Sequence, residues 1–198
     1  MVMMGAVLIL SALLLFLYNR YEDDRAGREA RDILEDVQSV IAQREEAAPE
    51  VTIPNKPGPE AAQPPEMTVV MIDGYEYIGY LTIPALELEL PVMAGWDYDR
   101  LQLAPCRQFG SAVTDDLVIA AHNYKKHFAY LYRLADGDSV VFTDMNGSET
   151  PYTVTKVETI DPKAVEAVQN SGHDLVLYTC TYGGATRVAA FCDREMMK

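Results

Sequence analysis

The chain has 198 residues, with 16 Lys+Arg against 30 Asp+Glu and a net charge of −14 at pH 7. That length supports one domain with a real core plus extra segments, and that charge argues against a nucleic-acid partner, whose phosphates it would repel. Its three cysteines, Cys106, Cys180 and Cys192, form no CxxC pair, and no two histidines stand at zinc-ligand spacing, so no metal site is expected. An odd count leaves at least one free thiol; if any pair bridges, Cys106 with Cys192 is the one that spares Cys180.

Residues Val2 to Tyr18 form an uncharged apolar run at the short end of what spans a bilayer. It lacks a basic start and a small-x-small cleavage site, so an uncleaved signal-anchor over 1–18 is expected rather than a removed signal peptide. Arg20, Arg25 and Arg28 follow the run, and read literally the positive-inside rule puts the rest of the chain inside. Residues 19–47 are charged and helix-favouring. Ala26, Ala30, Ile33, Val37, Val40 and Ile41 recur at spacings of three and four, a thin apolar stripe. The stripe could mark a stalk or a partner-facing helix; a solvated juxtamembrane helix is the plainer expectation. Residues 48–66 hold Pro49, Pro54, Pro57, Pro59, Pro64 and Pro65, which neither a helix nor a central strand tolerates. An extended linker that holds the next domain away from the membrane is expected.

From Met67 the pattern turns to short strands and runs so through 67–198. Thr68–Ile72 and Tyr75–Leu81 flank Asp73-Gly74, a two-residue hairpin signal. Leu86–Val92, Leu117–His122, Ser139–Thr143, Tyr152–Thr159, Asp174–Thr179 and Thr186–Asp193 complete the predicted strands. Asp97–Leu103, Phe128–Leu134 and Pro162–Val168 are predicted as short helices. About eight strands separated by turns imply an all-β barrel or sandwich.

The chemistry concentrates in two of those runs. Leu175-Val-Leu-Tyr-Thr-Cys180 delivers a cysteine, Thr181-Tyr-Gly-Gly-Ala-Thr reverses the chain, and Arg187 opens the next strand. A lone cysteine at a strand end is more often a small core residue, but a hairpin here would bring Cys180 and Arg187 to neighbouring strands at one rim. A cation beside a thiol favours the reactive thiolate. Arg187 could simply reach solvent or pair with Asp193; its planar charged fork also suits a substrate carbonyl and the oxyanion that develops from it. His122 ends the Leu117–Ala121 run, where imidazole can hand protons between leaving and entering groups. His127 and His173 read as solvated loop residues.

Together these residues resemble the sortases, cysteine transpeptidases of Gram-positive cell surfaces. Val176-Leu-Tyr-Thr-Cys180 with Arg187 is similar to the family's TLxTC…R signature, Ala121-His122-Asn123 to its histidine segment, and Gly79-Tyr-Leu-Thr-Ile-Pro84 with Leu90-Pro91-Val92 to its opening strands. Val176 stands in place of the signature's first threonine and Ala121 in place of a frequent glycine; neither change removes a reacting group. The resemblance implies an eight-stranded sortase-type β-barrel with Cys180 as nucleophile, His122 as general acid/base and Arg187 as substrate and oxyanion ligand. Thr179, the backbone N–H of Thr181, Asn123 and Tyr182 would help bind substrate. The implied reaction cleaves an LPxTG-like sorting signal on secreted proteins through a thioester. An amine of a peptidoglycan precursor or a pilin then takes the acyl group. The domain would lie outside the cell, against the literal charge rule.

No second apolar span follows the barrel and no Asp-Pro-aromatic segment precedes it, which counts against a pilin-polymerising member. The connection between Thr159 and Asp174 has room for one short helix, not the long one of class B, while the Asp73-Gly74 hairpin and acidic extension are class B-like; a class B or class D-like member is expected. No cofactor is expected: part of the family carries a structural calcium, but no compact acidic cluster here demands one. Two other readings stay open. One is another Cys-dependent transpeptidase or peptidase, although the Gly-Cys-x-Arg order of L,D-transpeptidases is missing. The other is a membrane-tethered β-barrel binding module in which Cys180 is buried and inert.

Overall fold

The computed structural model describes residues 2–47 and 67–195; the proline-rich 48–66 lies outside the described residues. Helix α1 (Val2–Ala47) is followed by strands β1 (Val70–Ile72), β2 (Tyr75–Ile83) and β3 (Leu88–Met93). Helix α2 (Tyr98–Leu103), β4 (Cys106–Phe109), β5 (Leu117–Ala121), β6 (Ser139–Asp144) and β7 (Glu149–Ile160) come next, then α3 (Val165–Gln169), β8 (Leu175–Cys180) and β9 (Arg187–Arg194). The sheet order is β1-β2-β3-β4-β5-β8-β9-β7-β6, and a further β2–β6 pairing closes β2 through β9 into an eight-stranded barrel with β1 hung on its edge. Asp73 and Gly74 take positive φ of 48° and 83°, so the expected β1–β2 hairpin forms on an Asp-Gly turn.

Alternation along the strands separates two faces. In β8, Leu175 and Leu177 enter the main core, with Ile119 of β5, Ala190 of β9 and Phe142 of β6. Val176 and Tyr178 face outward, beneath Val168 of α3. The same alternation in β9 sends Val188, Ala190 and Cys192 inward and Ala189 and Phe191 outward. Closure depends on Gly79. Its φ is +142°, and a Cβ there would stand 1.9 Å from the Thr143 carbonyl oxygen across the β2–β6 seam. Glycine alone allows β2 to approach β6 so closely.

Several elements differ from the sequence expectation. Strand β4 was not foreseen: it is four residues long and polar at Arg107 and Gln108, and it holds its place by pairing parallel to β3 and antiparallel to β5. Phe128–Leu134 forms only a 3₁₀ turn at Leu131–Arg133. Strand β3 starts late because Pro84–Leu86 makes another such turn, ended by Glu87 at φ 53°.

The largest difference concerns α1, one continuous helix across the apolar run and the charged segment. The first part is long and apolar enough to cross a membrane. The second part is not a solvated helix. Ala26, Ala30, Leu34, Val37 and Ile41 are buried against the barrel, where Val37 and Ile41 meet Tyr77, Met93, Leu101 and Cys106. Small residues explain why a thin stripe suffices. Gly27 lies so close to the 124–128 loop that a Cβ would stand 2.6 Å from Cγ of Lys126. The barrel is therefore seated on the helix itself, along Ala26 to Ile41.

Gly79→Ala should open the β2–β6 seam. Strain at a positive-φ position combined with a backbone clash is expected to cost about 3 kcal/mol, read as a lower urea midpoint.

Candidate active site

Two strand pairings assemble the site. β5 and β8 run parallel with Ala121 level with Thr179, so the next residues, His122 and Cys180, stand side by side where the strands end. β8 and β9 run antiparallel with Cys180 directly opposite Arg187, and directly opposed residues share a face. By alternation that face is the outer one, so all three residues emerge on the surface of the barrel rather than in its core. The turn that returns β9 carries Gly183 and Gly184 at φ of 82° and 75°.

Hydrogen bonds fix the frame. The Thr179 hydroxyl is buried and donates to the Ala121 carbonyl at 2.8 Å, tying β8 to β5 immediately before the reactive residues. The Thr181 N–H donates to the Thr186 carbonyl, and the Thr181 hydroxyl accepts from the Thr186 N–H, both closing the turn. The groups singled out in Thr179 and Thr181 are thus engaged within the protein. Asn123 and the 92% exposed Tyr182 line the cleft beside Cys180. Arg187 donates to the carbonyls of Gly184 and Thr186, each at 3.0 Å; Asp193, its alternative partner, pairs instead with His173 at 2.8 Å.

The three thiols differ sharply. Cys106 and Cys192 are buried and unbridged, in separate clusters, and burial pushes both thiols up to about 12. Cys180 is free and only partly buried. His122 is half-buried, and desolvation lowers its pKa below the ordinary histidine value. A neutral imidazole therefore dominates at neutral pH, the form able to accept a proton. Its ring lies 4.9 Å from that of Tyr124, which lies 5.4 Å from His127.

His127 is not the solvated loop residue expected: it is fully buried beneath α1, and neither ring nitrogen has a hydrogen-bond partner among the described residues. Burial, reinforced by His122, lowers its pKa to about 4, and the Ala26 backbone offsets only part of that.

Two clefts converge on Thr179 and Cys180. The smaller, about 210 Å³, holds Arg187 between Trp96, Tyr98, Leu101 and Val168. The larger, about 710 Å³, is walled by Asn123, Tyr124 and Lys125 on one side and by Tyr18, Glu22 and Asp23 of α1 on another. The contribution of α1 escaped the sequence reading; the stripe from Ala26 to Ile41 was the signal, once taken as a docking face.

A family model for the sortase domain matches residues 81–195, and the chain belongs to the sortase family. It is 30% identical over 121 residues to sortase A of Bacillus anthracis, a match taking in 58% of this chain and 57% of that protein. The chain thus spans little more than half the length of this curated relative. Among solved structures it is similar to sortase C of Streptococcus pneumoniae, with TM-score 0.59 and 23% identity over 84% of this chain and 97% of that one. It is also similar to sortase C1 of Streptococcus agalactiae, with TM-score 0.55 and 25% identity over 65% of this chain and 72% of that one.

Alkylation of the folded protein with iodoacetamide, mapped by mass spectrometry, is expected to label Cys180 and to reach Cys106 and Cys192 only on unfolding. For His127 the folded pKa lies below the unfolded one, so the unfolded chain takes the proton first. Its contribution is complete above about pH 6.5 and is lost as pH falls towards 4. His127→Phe should therefore remove roughly 2–3 kcal/mol of the stability lost between pH 7.5 and pH 4.5, measured by urea unfolding at both values.

Proposed function

We propose that the chain is a membrane-anchored cysteine transpeptidase that cleaves an LPxTG-like sorting signal and passes the acyl group to an amine. The observation that carries this reading is the convergence of His122, Cys180 and Arg187 on one outer rim through the β5–β8 and β8–β9 registers. Cys180 attacks the carbonyl after the signal's threonine. Arg187 holds the carbonyl oxygen as negative charge gathers there, leaving its present turn carbonyls to do so. His122 takes the proton of the Cys180 thiol as the sulfur attacks, gives it to the departing amine, and then takes one from the entering amine. Dividing one hard displacement into two easier ones is what the thioester accomplishes. The reaction so drawn calls for no cofactor.

The donor is a secreted protein with a C-terminal sorting signal, and the exposed apolar part of α1 supports a single-pass anchor; the barrel is put on the outer face because such donors are there. For the acceptor, a peptidoglycan precursor amine is the first reading. A pilin lysine is the second, supported by the likeness to the Streptococcus pneumoniae sortase C, whose description concerns pilin substrate specificity. The five-residue α3 between β7 and β8 favours a class D-like member over class B.

Incubation with LPxTG-type peptides and an amine should yield a thioester adduct and a transpeptidation product by mass spectrometry. Cys180→Ala is expected to abolish both. Arg187→Ala should slow turnover by roughly 10²–10³, the cost of losing an oxyanion donor. Normal turnover in Cys180→Ala would sink the mechanism.

A further inference from the structure

The two clefts that meet at Cys180 are built differently. Arg187 belongs to the smaller one, whose walls come from the barrel and its short helices. The larger one has no share of Arg187; α1 forms one wall and the stretch after His122 forms another. A transpeptidase brings two partners to one carbonyl carbon. The acyl part of the donor and its oxyanion belong with the fixed cation, hence with the smaller cleft. The entering amine must occupy the place vacated by the departing one, because the second half-reaction retraces the first with a different amine. That place is the larger cleft, on the side of the residues that follow His122.

Helix α1 does more than border this space. The Asp23 carboxylate accepts the Lys125 backbone N–H at 3.1 Å and lies 3.8 Å from the Lys125 ammonium. One turn further on, Gly27 is pressed against Lys126. The helix is therefore one wall of the cleft and holds the opposite wall in place. A neighbouring hollow of about 490 Å³, lined by Phe16, Asn19, Arg20 and Asp24, shares Asn19, Asp23, Lys125 and Tyr182 with it. The passage so formed runs from Cys180 past α1 towards the apolar run.

We propose that α1 completes the acceptor site: Tyr18, Asn19, Glu22 and Asp23 form one wall of the channel by which a primary amine reaches the thioester, so that this helix selects the acceptor by size. The inference rests on the transpeptidase reading above. In the step concerned the amine nitrogen bonds to the acyl carbon and the carbon–sulfur bond breaks. The proton lost by the nitrogen passes through His122 to the Cys180 sulfur.

Asn19 is exposed and lies at the junction of the two hollows, so Asn19→Trp narrows the channel without disturbing the core. Full-length wild type and Asn19→Trp, both in lipid nanodiscs, are loaded with a sorting-signal peptide and offered triglycine or the much smaller hydroxylamine. The ratio of triglycine transfer to hydroxylamine transfer is expected to fall about tenfold in the variant, while the thioester still forms. An unchanged ratio overturns the proposal, and so does loss of thioester formation in Asn19→Trp, which would put the helix on the donor side. Wild type that forms no thioester at all refutes the transpeptidase reading itself, and this inference with it.

Discussion

The level ending of β5 and β8 is the constraint on which the site depends. Parallel strands in register, tied by the Thr179 hydroxyl to the Ala121 carbonyl, place two consecutive chain exits at the same height. One exit carries an imidazole and the other a thiol. The last pair of the ladder, Ala121 with Thr179, brings the two exits together. A one-residue slip of β8 would turn Cys180 into the core and bring Thr179 out. Arg187 joins by the same logic through the antiparallel ladder to β9.

Burial then distinguishes groups of the same chemistry. Cys106 and Cys192 sit in apolar clusters where the charged thiolate is strongly disfavoured. Cys180, one residue past the last inward-facing position of its strand, escapes that environment. Among the histidines, His122 is half-buried and available, His127 is enclosed beneath α1, and His173 is spent on Asp193. The fold thus leaves Cys180 as the one partly accessible thiol, at the strand end beside the segment that carries His122.

Much of this was legible in the chain. Alternation revealed most strands, the Asp73-Gly74 pair revealed the hairpin, and the glycine turn after Cys180 announced that Arg187 would stand opposite it. Strand β4 was hidden because its position comes from neighbours rather than from its own four residues. The burial of His127 was hidden because the sequence Lys125-Lys-His-Phe looks solvated until a helix from a hundred residues earlier covers it. The docking of α1 was hidden for a related reason: alanine and glycine make a weak hydrophobic signal, yet they are the residues that let a helix lie closest to its support.

The continuity of α1 has a mechanical meaning. A flexible tether would let the barrel roam over a hemisphere, whereas a single helix gripped by the barrel acts as a rigid bracket. With the apolar run before Tyr18 in the bilayer as proposed, Tyr18 opens the cleft wall and five further residues carry it to Asp23, a rise of roughly 8 Å. Cys180 is then held at a fixed height just above the lipid headgroups. Encounter with a membrane-borne partner becomes a search in two dimensions instead of three, and molecules that float higher are out of reach.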